Sequence, residues 1–450
     1  MFRKLGLSIF VFLAVFIGFF TYLYLGFSNK NVQIHYDVAV RNPSNSEVDV
    51  KMVILSGNKP YMHFFLRDPN EGDVSRIRKI EVKRGNKTLP MWQTLSGLKD
   101  IKTVWIGFGN DPVEITYTID GNCKKGNKMI SYINPGFGYL RSMNILYTPI
   151  TFKDAVSMIR RLNSSDKNAG MATLKFFIPS EWVVNSPWEE DQGDIPISGL
   201  RNAYFGFGRF TLNKGNPIET PYSLAVFNGF DKQEQSKFAE QVPVILNEIQ
   251  KLVGIQPVNK AHTRAITILP NEPIYGGAAG ANSLIVDNST LTMTHEIFHW
   301  WNGETIDTTT DANWIKEGFT MYYEVKTLLK AGLMSDAEAS REYRKFRSKL
   351  LRHSETKMFQ LIDSSKRLSV GKGSEKDNDI VYYGGALVAR YLDQELEKQN
   401  KSLDQAWKMM YDHGNPISTN DFLSILSELG GKELSEQSKS MVKGQKAIDY

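Results

Sequence analysis

The chain has 450 residues, 41% of them hydrophobic and 23% charged, a make-up that excludes a disordered or fibrous protein. That length exceeds one ordinary hydrophobic core and calls for two or three domains. The net charge of +5 comes with no run of Lys and Arg interleaved with aromatics, so no nucleic-acid groove is expected, and the single cysteine, Cys123, cannot close an intrachain disulfide and reads as a buried, inert thiol.

Arg3 and Lys4 precede an uncharged apolar run from Leu5 to Leu25. As a helix rising roughly 1.5 Å per residue, this run reaches about 30 Å, the thickness of a bilayer's hydrocarbon core. Residues 1–28 therefore read as a membrane anchor or a signal segment. A cleaved signal has a shorter apolar stretch, about 7–15 residues, and a small-x-small site, for which Gly26-Phe27-Ser28 is a poor match; an anchor is the favoured reading. The positive flank keeps this end cytoplasmic and sends the remainder out, either as a single-pass membrane protein or as a secreted or periplasmic one after cleavage.

The pattern then changes to period two. Val32, Ile34, Tyr36, Val38 and Val40 alternate with mostly polar neighbours, Asn42-Pro43-Ser44-Asn45 supplies a turn, and Val48, Val50 and Met52 to Leu55 follow, which predicts a β-hairpin. Ile77–Val82, Lys102–Gly107, Val113–Ile119 and Thr173–Ile178 are further strand candidates. Together they predict a β-rich domain over residues 29–182, followed by a connecting stretch rich in Gly and aromatics.

Helical patterning dominates after about residue 230. Lys232 to Val253 is one helix, interrupted by Pro243 and ended by Gly254. Ala265–Leu269 and Ser283–Val286 read as short buried strands. Asn288-Ser289 caps a helix running to Asn302 with Gly303 as its stop, and Asp311 is the expected cap of the next, which ends at Gly332. Ser335-x-x-Glu338 is a capping-box pattern. Residues 336–450 continue as helices, Gly384–Lys398 and Asn420–Leu429 among them.

Within the helix after Ser289 stands His295-Glu296-Ile297-Phe298-His299, an H-E-x-x-H arrangement. Two His four positions apart differ by about 40° around a helix, so both rings leave one face with Cβ atoms about 5–6 Å apart, within reach of one metal ion. Glu296 lies beside them, placed to work on a water and not to be a ligand. A catalytic zinc takes a third protein ligand and keeps one position open. Glu317, eighteen positions past His299 in Trp314-Ile315-Lys316-Glu317-Gly318-Phe319-Thr320, is the candidate, because a helix–loop–helix of that length can return it to the two His. This sets residues 183–335 as the zinc-binding region with its connecting segment. The other histidines, His35, His63, His262, His353 and His413, are scattered and read as structural or surface residues.

The segment His295 to Tyr323 resembles the gluzincin metallopeptidases, and further segments resemble the glycyl-aminopeptidase-like family of bacterial zinc peptidases. His299-Trp300-Trp301-Asn302 is similar to that family's His-x-Trp-Asn, Val381-Tyr382-Tyr383-Gly384-Gly385-Ala386-Leu387 to its Tyr-x-x-Gly-Ala-Leu, and Gly276-Gly277 through Asn282-Ser283 to its Gly-Gly strand-edge segment. The resemblance implies an α+β multidomain protein: an N-terminal β-rich domain, then a thermolysin-like α/β zinc-peptidase domain with a helical C-terminal part. It implies one catalytic Zn2+ held by His295, His299 and Glu317, with Glu296 as general base and acid. The oxyanion donor aligns with Tyr382, with Tyr383 as the alternative one residue on. Gly277, Ala278 and Ala279 would line the substrate. Glu324, seven positions after Glu317, either orients a ligand His or is simply solvated.

Three departures qualify the resemblance. Aminopeptidases of this kind carry a Glu in the Gly-Gly segment that binds the substrate's α-amino group, and the aligned position here is Ala279; Glu272 is a possible substitute. The interval from His299 to Glu317 is shorter than is usual in the family, and many members continue into a PDZ domain where this sequence ends at Tyr450. The expected activity is zinc-dependent peptide-bond hydrolysis, with aminopeptidase and endopeptidase action both open. The alternative is a catalytically inactive, membrane-tethered peptide- or protein-binding protein that retains the fold.

Overall fold

The computed structural model describes residues 32–56, 61–66, 77–93, 101–105, 111–122, 131–151, 170–189, 195–219, 221–258, 263–272, 275–353 and 358–448, with isolated positions 17, 18, 21 and 26. The apolar N-terminal run lies almost entirely outside the described residues, as do Cys123 and His262. Among the described residues no helix is long and apolar enough to cross a membrane. The chain divides into two units, Met1–Phe210 with Ala261–Ala265, and Thr211–Lys260 with Ile266–Tyr450.

The first unit is β-rich. Its largest sheet runs in the order Ile195–Pro196, Met171–Phe177, Gln33–Ala39, Glu47–Ser56, Val113–Asp120, Ile77–Arg84 and Lys87–Thr88. The predicted hairpin opens it, with Tyr36 opposite Met52 and Val38 opposite Val50. Alternation does the work expected of it, burying Ile34, Tyr36, Val38, Val50 and Met52 together on one face. At the turn the Asn42 side chain accepts the Ser44 N–H at 3.1 Å. Two buried phenols find carbonyls, Tyr36 at Tyr147 (2.8 Å) and Tyr117 at Ile145 (2.7 Å), so their burial strands no polar group. The stretch after Trp182 contributes strands Val183–Asn185, Ile195–Pro196 and Tyr204–Gly208 to this unit's sheets.

The second unit pairs a five-stranded sheet with helices. Strand order is Phe210–Gly215, Tyr222–Phe227, Arg264–Ile268, Ser283–Val286, Gly277–Gly280, which leaves Gly277–Gly280 at an edge. The helix Lys232–Val253 starts where Asp231 accepts the Glu234 N–H at 2.7 Å and stops at Gly254, whose φ of 70° is readily available to glycine. Its stripe of Phe238, Val242, Ile245, Leu246, Ile249 and Val253 is buried, and Pro243 lies within it.

Two expectations need correction here. The helix carrying His295 spans Thr290–Phe298 with His299 at its C-cap, and does not reach Asn302: Trp300 and Trp301 turn more tightly, their N–H groups bonding Ile297 and Phe298 carbonyls. Asp311 caps no helix of its own, since its carboxylate accepts the Thr309 hydroxyl and the Thr419 N–H (3.2 Å). The N–H of Trp314, which opens the next helical segment, is satisfied instead by the Ser365 hydroxyl at 3.0 Å. That segment is a wide π turn, Trp314–Phe319, continuing as the α-helix Thr320–Lys330. A second π turn, Ile380–Gly384, precedes the helix Gly385–Glu397. The two meet backbone to backbone, because a Cβ at Gly385 would come within 2.5 Å of the Trp314 carbonyl oxygen and 2.9 Å of Gly318 Cα.

Candidate active site

The motif helix brings the His295 and His299 rings to 4.9 Å between centroids, nearly perpendicular at 84°. Each turns its Nε2 toward one oxygen of Glu317, at 3.9 Å from His295 and 3.4 Å from His299. The opposite ring nitrogens are occupied. His295 Nδ1 lies 2.8 Å from Glu324 Oε2, and His299 Nδ1 lies 2.9 Å from the Asn302 carbonyl. Those acceptors hold the ring protons on Nδ1 and leave both Nε2 lone pairs directed at Glu317.

Among the described residues, His295, His299 and Glu317 are the group whose donor atoms, all within 4.8 Å of one another, could hold a metal ion. The fit to zinc follows from geometry. Ligands about 2.0–2.1 Å from a tetrahedral ion lie about 3.4 Å apart, close to what the Glu317 oxygen shows to both imidazoles. Two neutral imidazoles and a carboxylate are also the ligand chemistry of a catalytic zinc site.

Glu317 reaches this place by cross-bracing. The Asn302 amide, at the end of the motif segment, donates to the Ile315 and Lys316 carbonyls (3.0 and 2.7 Å) and lies 3.0 Å from the Thr320 hydroxyl. The intervening loop is tied down by Thr309 N–H to Ile417 O and Ile417 N–H to Asp307 O, each 2.9 Å. π turns are rare and often mark functional sites, and both Glu317 and Tyr382 sit in one. Burial works to raise the Glu317 carboxyl, but the two imidazoles and Lys316 hold it well below the usual carboxylate range. Behind the site, the helix bearing Glu324 is fixed by buried Lys326, whose ammonium lies 2.7 Å from both Asp393 and Asp404. Tyr322 donates to the first of these aspartates and Tyr323 to the second. Removing one partner of such a network would leave a buried charge uncompensated, at a cost of about 3–5 kcal/mol.

Glu296 points from the same helix to the edge strand. Burial pushes its carboxyl above the usual range, the neighbouring imidazoles pulling the other way, and it accepts the Ala279 N–H. Gly277 is where the strand presses closest: a Cβ there would stand 2.5 Å from Glu296 Cγ and 2.7 Å from a Val286 methyl. Gly277, Ala278 and Ala279, expected to line the substrate, thus flank the expected base.

The two tyrosines part company. Tyr382 lies parallel to His295 with centroids 6.3 Å apart and hydrogen-bonds Glu317. Burial first, then the Glu317 charge, pushes its phenol well above the ordinary value. Tyr383 packs on Phe346 at 5.5 Å. Glu324, open in the sequence between a ligand-orienting and a solvated role, is buried against His295. Glu272 is exposed and accepts the Tyr275 hydroxyl at 2.9 Å. Asn302 escaped sequence reasoning as a functional residue, although it holds one His and braces the Glu317 turn; its place in His299-x-x-Asn302 was the available signal. Among the described residues the remaining histidines have local partners: His35 with Asp37, His63 with Thr103, His353 with Asp379 and His413 with Asp421.

Residues 274–441 match the family model described as the peptidase family M1 domain. All the residues brought together here fall within that segment. No curated protein matches the chain. Several solved structures share the fold. An aminopeptidase N family protein from Idiomarina loihiensis aligns with a TM-score of 0.74 at 16% identity, covering 92% of this chain and 77% of that one. An M1 zinc metallopeptidase from Deinococcus radiodurans, a glutamate-to-alanine variant bound to a Tyr-Ser-Ala substrate, gives 0.61 at 13% identity, with 94% and 96% covered. Native leukotriene A4 hydrolase from Saccharomyces cerevisiae gives 0.56 at 14%, with 94% and 69% covered. The expected likeness to gluzincin metallopeptidases of an aminopeptidase-like kind holds, and the family model that matches is the peptidase family M1 domain.

Proposed function

We propose, from the match of residues 274–441 to the peptidase family M1 domain, that the chain hydrolyses peptide bonds, with His295, His299 and Glu317 as zinc ligands and Glu296 as general base. The observation that carries the reading is the convergence of these three donors with Glu296 one residue from the first ligand and beside the strand edge. His295, His299 and Glu317 would hold a zinc ion, which when bound would lower the pKa of water to about 7 and polarise a carbonyl oxygen. Glu296 takes the proton from the attacking water and delivers it to the leaving nitrogen, a role suited to a carboxyl whose burial raises its basicity. The Tyr382 hydroxyl, held protonated, donates to the oxygen on which negative charge develops. Glu324 and the Asn302 carbonyl keep the two rings turned.

The test is digestion of an unbiased peptide library by the purified full chain. Cleavage is expected, lost on treatment with a zinc chelator and restored by zinc. Turnover that survives complete removal of the metal would refute the reading.

We further propose that the Leu5 to Leu25 run holds the protein in a membrane with its catalytic part outside the cytoplasm, on the strength of the run's length and its basic flank. Added protease should degrade the body of the chain on intact cells stripped of their outer envelope. A body protected until the cells are lysed would reverse this topology.

A further inference from the structure

The apolar N-terminal run and the β-rich unit meet at Gly26, one residue past Leu25. Within the run, Ile17, Gly18 and Thr21 are helical and exposed, and a Cβ added to Gly18 would have nothing within 4 Å. Gly26 by contrast is buried, and it belongs to the same compact unit as the strands that follow. Its carbonyl accepts the His63 N–H at 2.9 Å, and the His63 carbonyl accepts the Ile150 N–H at 3.2 Å. His63 lies in the strand Tyr61–Phe65, which pairs with Ile101–Trp105 on one side and Thr148–Pro149 on the other. Because the N–H and C=O of one strand residue point to the same side, Gly26 and Ile150 together complete that side at His63.

The contact admits only glycine. The His63 imidazole is 1% exposed and held in place, its Nδ1 lying 2.9 Å from the Thr103 hydroxyl. A Cβ at residue 26 would stand 2.6 Å from ring Cε1 and closer still to Nε2 and Cδ2. A ring pinned in this way cannot step aside, so the main chain at residue 26 approaches it only without a side chain. Gly26 also opens Gly26-Phe27-Ser28, the sequence at which a signal peptidase would cut. Cleavage after Ser28 would take away the acceptor of the His63 N–H and the surface beneath the ring. A buried donor stripped of its acceptor is costly, so the β-rich unit is built for a chain that still carries residue 26.

We infer that Gly26 is a structural residue of the β-rich unit and that the Leu5 to Leu25 run is retained in the mature chain. Resting on the membrane reading of that run, the partner of its exposed helical positions is lipid hydrocarbon, and the headgroup layer abuts the β-rich unit at the strand Tyr61–Phe65. Adjacent Cα atoms are about 3.8 Å apart, so no flexible linker separates the end of the run at Leu25 from the unit at Gly26.

Full-length protein recovered from expressing cells tests this by intact mass and by paired glycine variants. The expected mass includes residues 1–28, and a mature chain beginning after Ser28 overturns the inference. Gly26→Val and Gly18→Val leave the run equally apolar, so neither should alter extraction from membranes by alkaline carbonate. In detergent, Gly26→Val should lower the thermal unfolding midpoint by about 3 °C or more, while Gly18→Val leaves it unchanged. Midpoints that agree for the two variants overturn the inference. Gly26→Ala, a smaller intrusion, replaces Gly26→Val if that variant does not accumulate. In a His63→Ala background the loss on Gly26→Val should shrink by about half or more, because the clash is with the ring. A loss of full size there would overturn the place assigned to Gly26. A full-length chain that carbonate strips from membranes, with the Gly26→Val loss intact, upholds the inference and sinks only the membrane reading.

Discussion

Replacing Glu317 with alanine is expected to strip the protein of zinc and reduce peptide hydrolysis to background. The carboxylate is the one donor that comes from outside the motif helix, and its oxygen is what faces both Nε2 atoms, at 3.9 and 3.4 Å. Without it, two imidazoles on adjacent turns remain, and a two-ligand site holds zinc far less tightly than the three-ligand sites of known zinc enzymes. Loss of an outer partner such as Glu324 would cost about 10–100-fold in metal affinity, so loss of a ligand should exceed the upper end of that range. Folding should survive, since Glu317 lies in a turn braced through Asn302 and Ser365 and not through its own side chain. The clearest readout is thermal unfolding with and without zinc. Metal at a hundredfold excess over its Kd stabilises the native state by about 2.7 kcal/mol, so the wild-type midpoint should rise with added zinc while that of Glu317→Ala stays put. A variant that still copurifies with one zinc per chain would remove Glu317 from the ligand set.

How much of this site is legible in the sequence depends on the range of the interaction. The His pair is local: an i, i+4 spacing on a helix dictates a shared face whatever the rest of the chain does. Glu317 and Glu324, seven residues apart on one helical segment, could be expected on one side of it, but which way that side faces is tertiary information. In the structure one acid meets the imidazole Nε2 atoms and the other an Nδ1. The π turns were not legible at all. They lie where Gly318 closely approaches Gly385, two residues 67 positions apart, and nothing in local propensity forecasts such a contact. The choice between Tyr382 and Tyr383 depends on that turn, because neighbouring side chains diverge by about 100° around a helix and only one can face the site. Asp311 shows the reverse error, a cap read from residue type that tertiary bonding to Thr419 redirected. In the β-rich unit the opening hairpin was legible because period-two alternation dictates its face, whereas the Gly- and aromatic-rich strand Tyr204–Gly208, buried along its whole length, shows no alternation to read.

Glu296→Gln is expected to leave zinc content, fold and peptide affinity near wild type while lowering kcat by about 10²–10⁴, the usual contribution of a positioned general base. The side chain is nearly isosteric, and its amide carbonyl can still accept the Ala279 N–H that orients the carboxylate, so the strand edge has no reason to move. The imidazoles keep their Nδ1 partners, neither of which involves Glu296. What disappears is a basic oxygen able to take a proton from water and return it to the amine. Such a loss affects the transition state and not the bound substrate, so kcat and kcat/KM should fall together with KM little changed. The position of the carboxylate adds a second consequence. With Gly277 pressed against Glu296 Cγ, the strand leaves the side chain little room, and a Gln confined there cannot swing away to admit a substitute base from solvent. Residual activity should therefore come only from oxygen-side stabilisation by the metal and Tyr382. If Glu296→Gln cuts peptides at the wild-type rate, the proton is handled elsewhere and the mechanism assigned to this residue is wrong. If wild type and variant alike bind zinc and peptide without cutting, the fold serves binding and not catalysis.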